Sequence, residues 1–189
     1  MSSSALPPAD VAPGDLWLAG CRVGVRFFFR ADRYAHQIYV ANDAAWRAVL
    51  ESLEGTPDEA WPSSPPFQSA TSEHKPEGPV ILLVGMAGKS HWSASVELEP
   101  ADGQIRFDVA CRAMHSPKDA LGSCYRGLGA VIASEIGLKV IGGPGSHVSH
   151  AVADEKSVTI SCAKSPAAGS GKQTLRWSYA FRAATSSPS

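Results

Sequence analysis

The stretch PVILLVGMAGKSHWSASVELEPADGQIRFDVACRAM, residues 79–114, decides the fold. The stretch begins with an apolar run, followed by a Gly-Met-Ala-Gly-Lys-Ser bend. After the bend, apolar residues occupy every second position on both sides of an Asp-Gly turn. Because successive side chains of a strand point to opposite faces, this alternation predicts a hairpin with one dry face and one wet face. Whatever the loop length, Arg106 faces Glu97 or Glu99, and we expect an ion pair there. The dry positions are Trp92, Ala94, Val96, Leu98, Ile105, Phe107, Val109, Cys111 and Ala113.

The wet face of this hairpin is the leading candidate for a functional site. His91, Ser93, Asp108 and Arg112 could come within side-chain reach of one another on adjacent strands. A histidine beside a carboxylate can act as a general base, and a nearby serine can act as a nucleophile. Solvated strand faces carry similar mixtures of serine and charge, and we favour that plainer interpretation. We therefore name these four residues as candidates for ligand binding and assign no catalytic residue.

Composition and charge narrow the class of protein. The 189 residues suit one domain, which we place at 16–183, between a disordered tail at 1–15 and a loose tail at 184–189. With a net charge of -1, the chain lacks the positive field that attracts nucleic acids or anionic membranes, so we expect neither as a partner. Four widely spaced cysteines favour buried free thiols, and hence a cytoplasmic location. Leu18-Ala19-Gly20-Cys21 resembles a lipoprotein cleavage box without a basic leader, so export is the alternative if the start codon is misplaced.

Residues 16–40 predict a second hairpin of alternating apolar and polar residues. If Phe29 lies opposite Tyr34, His36 falls on the apolar side near Phe27. We favour a core histidine whose ring bonds to a backbone carbonyl, with a catalytic role as the alternative.

Residues 42–55 predict the one helix of the chain. Trp46, Val49, Leu50 and Leu53 follow the spacing of a single buried helical stripe. An Asn-Asp pair suits its first free amides, and a glycine suits its far end.

Residues 56–79 predict a long proline-rich loop, because six prolines disfavour regular strand pairing. Trp61 and Phe67 are expected to anchor this loop to the body of the protein. Just before the loop, Glu54 lies near Trp61 in sequence, and a carboxylate beside an indole can bind a sugar or act as an acid with a raised pKa. Exposed acids are commoner at the end of a helix, so Trp61 and Glu54 join the candidates for ligand binding and not those for catalysis.

The sequence predicts the secondary structure of the last third of the chain less clearly. Region 121–150 is rich in glycine, and its segment 130–141 suits either a short helix or two strands that turn near Gly137. Segments 157–163 and 174–183 both alternate, which predicts a last hairpin.

Motifs for cofactors are missing from the sequence. Gly88-Lys89-Ser90 lacks the earlier glycine of a phosphate-binding loop and precedes a strand where that motif needs a helix. His147 and His150 have no evident third metal ligand. We expect no cofactor and no metal. The expected partner is a small molecule or a protein, and the oligomeric state is left open.

Three stretches carry a resemblance to known sequences: EGTPDEAWPSSPPFQS, LLVGMAGKSHWSASVE and the following FDVACR. They resemble a family of bacterial proteins described only as hypothetical. The resemblance spans residues 20–126 and implies a bacterial origin. It brings no fold, activity or site with it.

One-sided strands that recur along a chain must bury their dry faces against each other. We therefore predict a mainly β fold, an antiparallel two-sheet sandwich of about eight strands with one short α-helix. The favoured function is a non-enzymatic ligand- or protein-binding domain that uses the wet face and the Trp61 loop. The alternative is a small hydrolase or isomerase using His91 or His36 with Asp108, which requires those groups to meet in one cleft.

Overall fold

The computed structural model shows a protein built from strands. It describes residues 7–42, 45–99, 101, 103–117, 120–128, 137–150, 157–163 and 172–183. These residues form thirteen β-strands and no helix. The strands are β1 Leu16–Ala19, β2 Val23–Arg30, β3 Arg33–Asn42, β4 Ala45–Ser52, β5 Phe67–Lys75, β6 Gly78–Ala87, β7 Ser90–Glu99, β8 Gln104–Ala113, β9 Gly122–Gly127, β10 Leu138–Gly142, β11 Ser146–His150, β12 Ser157–Cys162 and β13 Gln173–Ala183.

The strands form two antiparallel sheets that pack face to face. One sheet has seven strands in the order β1-β2-β3-β4-β9-β12-β11, and the other has six in the order β10-β13-β8-β7-β6-β5. Their dry faces share one hydrophobic core. Burying one large apolar side chain there stabilises the fold by roughly 1.5–3 kcal/mol. The predicted antiparallel two-sheet sandwich is confirmed, with more strands than we expected. The largest fully buried side chains include Phe27, Ile38, Leu50, Trp92, Phe107, Tyr125, Trp177 and Phe181.

The predicted central hairpin is confirmed as β7 and β8, which are neighbours in the six-stranded sheet. Glu97 pairs with Arg106, and Glu99 pairs with Gln104 at the end of the ladder. The Arg106 Nη1 atom reaches diagonally to Glu99 Oε1 at 3.1 Å, and its Nη2 atom lies 3.7 Å from Asp108 Oδ2. These side chains are well exposed to solvent, so each ion pair contributes ~1 kcal/mol or less.

The first hairpin also has the predicted register. β2 and β3 pair Phe29 with Tyr34 and Phe27 with His36, so the histidine does lie on the apolar face. The strand β1 is an addition, since it pairs with β2 along the opposite edge.

The segment 7–15 is held against the outer face of the seven-stranded sheet. Asp15 Oδ2 accepts a hydrogen bond from Arg26 Nε at 2.7 Å. Asp10 Oδ2 accepts one from the Tyr39 hydroxyl, also at 2.7 Å. Disorder was predicted for the whole of 1–15; the described part of it makes these specific contacts. The remaining predicted tail residues, 1–6 and 184–189, lie outside the described residues.

The predicted helix at 42–55 is wrong, because this segment contains β4. A bulge explains the misleading spacing: Ala48 pairs with Tyr39 and Leu50 pairs with Ile38, which leaves Val49 as an extra residue. The extra residue shifts the alternation by one position. Val49 and Leu50 are consequently both buried, and together with Trp46 and Leu53 they have the spacing of a helical stripe. Trp46, expected on that stripe, instead meets the Trp17 ring at 5.2 Å.

Two further pairings differ from the sequence expectations. Strands β12 and β13 do not form a hairpin, since β12 belongs to the seven-stranded sheet and β13 to the six-stranded sheet. Alternation in a sequence shows which face of a strand is dry, but it does not show which strand is its neighbour. Two strands that face each other across the core therefore have the same sequence pattern as two strands paired in one hairpin. The predicted loop 56–79 is also shorter than expected, because its proline-free part Phe67–Lys75 is strand β5. Segment 130–136, predicted as helix or strand, lies outside the described residues.

The remaining proline-rich loop packs closely on β6 at Gly85. A Cβ atom at Gly85 would lie only 1.9 Å from the Pro66 carbonyl oxygen. We therefore expect Gly85→Ala to destabilise the protein by about 1–3 kcal/mol, because the backbone must move to relieve the clash. Urea unfolding checks this value. Ser93→Ala, at an exposed position on the neighbouring strand, is the control and should change stability by ~0.5 kcal/mol or less. Equal stability of the two variants would contradict the close contact.

Candidate functional site

A groove of about 600 Å³ lies on the outer face of the six-stranded sheet. This volume is in the range of small-molecule sites, although the groove is open to solvent on one side. The side chains that give it character come from four strands. They are Val84 and Met86 of β6, His91 and Ser93 of β7, Arg112 of β8, and Thr174 and Arg176 of β13.

The strand register brings Arg112 and Arg176 together and places His91 beside Arg112. His91 pairs directly with Arg112, and Arg112 pairs with Thr174 on its other side. Arg176 pairs with Ala110, which places it diagonally across from Arg112. Directly paired residues have Cβ atoms ~5 Å apart, and diagonal neighbours lie ~7–8 Å apart. The two guanidinium groups can therefore act on one bound group.

The groove contains uncompensated positive charge. None of its lining residues is an Asp or a Glu. None of the ion pairs found among the described residues involves Arg112 or Arg176. At the other end of the same sheet face, Arg106 is paired with Glu99 and Asp108. One arginine of this sheet face, Arg106, is therefore paired, whereas the two arginines in the groove are not.

The β6 side of the groove is apolar. Val84 is 54% exposed and Met86 is 50% exposed, which is unusual for large apolar side chains in this protein. The Gln68 side chain fixes the backbone beside them. Its Oε1 atom accepts a hydrogen bond from the Met86 amide at 2.7 Å, and its Nε2 atom donates to the Met86 carbonyl at 3.1 Å. Both apolar side chains thus project from a restrained strand.

Of the four candidates predicted on the wet face of the central hairpin, three meet in this groove and Asp108 does not. His91, Ser93 and Arg112 line it together. Asp108 pairs with Ser95, four positions along β7 from His91, which separates the two side chains by ~13 Å. The predicted contact between His91 and Asp108 therefore does not form.

Arg176 is the site residue that sequence reasoning missed. It occupies a wet position of the alternating strand β13, so its exposure could have been found from the pattern. Its neighbours could not, because the expected partner of β13 was β12 and the observed partners are β8 and β10.

Trp61 and Glu54 lie away from the groove. Trp61 is partly buried and packs against the core, as expected for an anchor of the loop. The Glu54 Oε1 atom accepts a hydrogen bond from Ser52 Oγ at 2.6 Å. Its Oε2 atom is buried without a hydrogen-bond partner in the described part of the chain. Burial raises the pKa of Glu54 to about 7, although the Ser52 hydrogen bond and the charge of Arg33 oppose the change.

His36 belongs to a polar cluster inside the core. Its Nε2 atom lies 2.7 Å from the Tyr125 hydroxyl, which lies 2.8 Å from the Tyr179 hydroxyl. The expected backbone partner of the ring is thus replaced by a tyrosine. Burial lowers the pKa of His36 to about 3, so the ring is neutral, and only 3% of the residue is exposed. This position gives substrate no route to the histidine.

Comparisons with known proteins provide no relative for this chain. No family model, no curated protein and no solved structure matches it. Within the described ranges, no group of three or more His, Cys, Asp and Glu side chains could hold a metal ion. The described residues also include no helix with the length and apolar character needed to cross a membrane.

The raised pKa of Glu54 predicts a pH-dependent stability. Because this pKa lies above the ordinary value of 4.5, the folded protein binds more protons than the unfolded chain between pH 4.5 and about 7. Stability should fall as pH rises through this window. Glu54→Gln keeps an acceptor for Ser52 and removes the titration. We expect no difference from the parent near pH 4 and a gain of up to ~3 kcal/mol at pH 8.

Urea unfolding of both proteins from pH 4 to 8 measures this difference. Glu97→Gln is the control, because its side chain is 42% exposed and its one ion pair among the described residues, with Lys75, lies at the surface. A constant difference between Glu54→Gln and the parent at all pH values would rule out titration of Glu54 as the cause.

Proposed function

We propose that this protein is a non-enzymatic binding protein that takes an anionic ligand in the groove of the six-stranded sheet. The observation that carries the proposal is the pair Arg112 and Arg176, which lines a groove without carboxylates and forms no ion pair within the described chain. A guanidinium group presents a planar set of donors that matches the oxygens of a carboxylate or phosphate. His91 and Ser93 add further polar contacts at the same place.

The exposure of the groove limits the affinity. Arg112 and Arg176 are both exposed, so water competes with the ligand and salt screens the attraction. Binding should be modest and should weaken as ionic strength rises. A groove of this kind suits a protein that carries or senses a ligand better than one that retains it permanently.

The geometry supports binding over catalysis. The hydrolase or isomerase alternative needs His91 or His36 beside Asp108. The first pair is separated by the strand register, and His36 is enclosed in the core. His91 lines the groove, but no carboxylate among the lining residues orients its ring as a general base, whereas the two arginines are placed to hold an anion.

A reducing, cytoplasmic location forms part of the proposal. The four cysteines carry free thiols, and Cys111 and Cys162 are buried. Free thiols are usual where the cell keeps cysteine reduced. The resemblance to hypothetical bacterial proteins would make the setting a bacterial cytoplasm.

Titration of the protein with acetate, inorganic phosphate and octanoate at low salt tests the binding function. We expect at least one of these anions to bind saturably and to shift the backbone NMR signals of β7, β8 and β13. Arg112→Ala and Arg176→Ala should each weaken binding about fivefold or more, because each removes a charge-assisted contact. The matched control is Arg106→Ala, which removes an arginine of the same sheet face that is already paired with Glu99.

The control decides between a site and a general charge effect. Loss of binding in both groove variants with normal binding in Arg106→Ala supports the proposal. Equal loss in all three variants would show that only net charge matters. No saturable shift with any of the three anions would overturn the binding function of this groove.

A further inference from the structure

We propose that the ligand of the groove is a free single-chain amphiphile, an alkyl carboxylate or a molecule of the same chemistry. Its anionic head would lie at Arg112 and Arg176, and its alkyl chain would lie across β7 against Val84 and Met86. This inference rests on the binding function proposed above and adds the class of ligand to it.

The two chemical halves of the groove are separated across the strands and not along them. Val84 and Met86 lie on β6, whereas Arg112 and Arg176 lie on β8 and β13. Neighbouring strands are ~4.8 Å apart, so the apolar strand is ~10 Å from β8 and ~14 Å from β13. A ligand that satisfies both halves must therefore have one polar end and one apolar end. It must also lie perpendicular to the strands.

An extended peptide fits this arrangement less well. A peptide that adds to a sheet pairs with the backbone of an edge strand and presents alternate side chains along that strand. β6, β7 and β8 are interior strands with partners on both sides, whereas β13 pairs with β10 only over Tyr179–Ala183 and is paired with β8 alone at Thr174 and Arg176. Of these four strands, only that part of β13 offers an edge for an added peptide, and it lies ~14 Å from the apolar strand β6. A ligand that reaches Val84 and Met86 is therefore bound by side chains, which contact a polar head at one end and an apolar tail at the other.

The exposed side chains of Val84 and Met86 are the reason for proposing a ligand with an alkyl chain. Val84 and Met86 stand half in water on a sheet whose other outward positions are mostly polar. A methionine side chain is flexible and adapts its shape to an alkyl chain. Covering them with methylene groups should raise affinity by about two- to fourfold for each methylene that leaves water. The head group fixes the position, and the chain adds affinity.

A membrane surface is the less suitable source of this chemistry. The same sheet face carries Glu97, Glu99 and Asp108 at its far end, and a flat anionic bilayer would lie against them. The exposed apolar area in the groove is confined to two side chains. A single molecule can avoid the acidic end, whereas a lipid surface cannot.

Calorimetric titration with butanoate, octanoate and decanoate, each kept below its micelle concentration, tests the inference. We expect the affinity to rise with each lengthening of the chain. In the double variant Val84→Asn with Met86→Gln, the affinities for octanoate and decanoate should lie within about twofold of the affinity for butanoate. Arg112→Ala should weaken all three by a similar factor and keep the dependence on chain length.

A matched control variant is Ile141→Asn. Ile141 is also an exposed apolar residue, 39% accessible, but it lies on β10 outside the groove. The Ile141→Asn variant should bind the three carboxylates with the affinities of the parent. Because Val84 and Met86 are half exposed, their replacement should leave the unfolding midpoint close to that of the parent, which the same samples can confirm.

The outcomes separate the two proposals. Equal affinity for butanoate and decanoate in the parent would overturn the amphiphile and leave anion binding intact. No binding of any carboxylate, together with no saturable phosphate binding, would overturn both. Binding to vesicles of anionic phospholipid but to none of the free carboxylates would overturn the free ligand in favour of a membrane surface.

Discussion

The stacking of Phe107 on Tyr179 is the contact on which the rest of the structure depends. The two rings lie 4.9 Å apart and are inclined by only 7°. Phe107 also meets Phe181 at 5.8 Å, and Phe27 of the opposite sheet at 6.2 Å. Because Phe107 and Tyr179 pair directly across β8 and β13, their contact fixes the register of these strands. The same register aligns Arg112 and Arg176 on the outer face, so the interior packing determines the geometry of the groove.

Polar groups in the core reinforce this arrangement. Tyr179 takes part in the stacking, and its hydroxyl contacts the Tyr125 hydroxyl, which in turn contacts His36 Nε2. A buried hydroxyl or imidazole without a partner is costly, so each of these residues restricts where the others can lie. The Trp177 indole nitrogen donates to Ser123 Oγ at 3.3 Å, which adds a second polar link between the sheets. The sheets are thus held in one relative position by directional contacts as well as by burial.

The fold class could be predicted from the sequence because the alternation of apolar and polar residues is a local signal. Trp92, Val96 and Phe107 each lie on the dry face where their positions placed them. The register of β2 and β3 also followed from counting, since a one-residue slip would have moved His36 to the surface. The predicted helix at 42–55 was wrong because a single bulged residue, Val49, interrupts the alternation by which a strand is recognised in a sequence.

The candidate site was only half predictable for a different reason. His91 and Arg112 belong to one hairpin, so their proximity is a local property of the sequence. Arg176 comes from a strand whose partner is more than sixty residues away, and no periodicity reveals such a partner. The exposure of Val84 was hidden in the run Val80–Val84, where continuous apolar residues suggest burial on both faces. Only the assembled sheet shows that this valine lines the same groove as Arg112 and Arg176.

The close contact between Gly85 and Pro66 ties two parts of the molecule together mechanically. Gly85 lies between Val84 and Met86, and Pro66 is the last residue of the proline-rich loop before β5. Any movement of that loop would remove the Pro66 contact from β6 at the apolar wall of the groove, leaving the pairing with β7 and the Gln68 hydrogen bonds to hold Met86. A molecule seated against Met86 would in turn hold the strand on which the loop rests. Since such coupling is reciprocal, the order of the loop and the occupancy of the groove would rise and fall together.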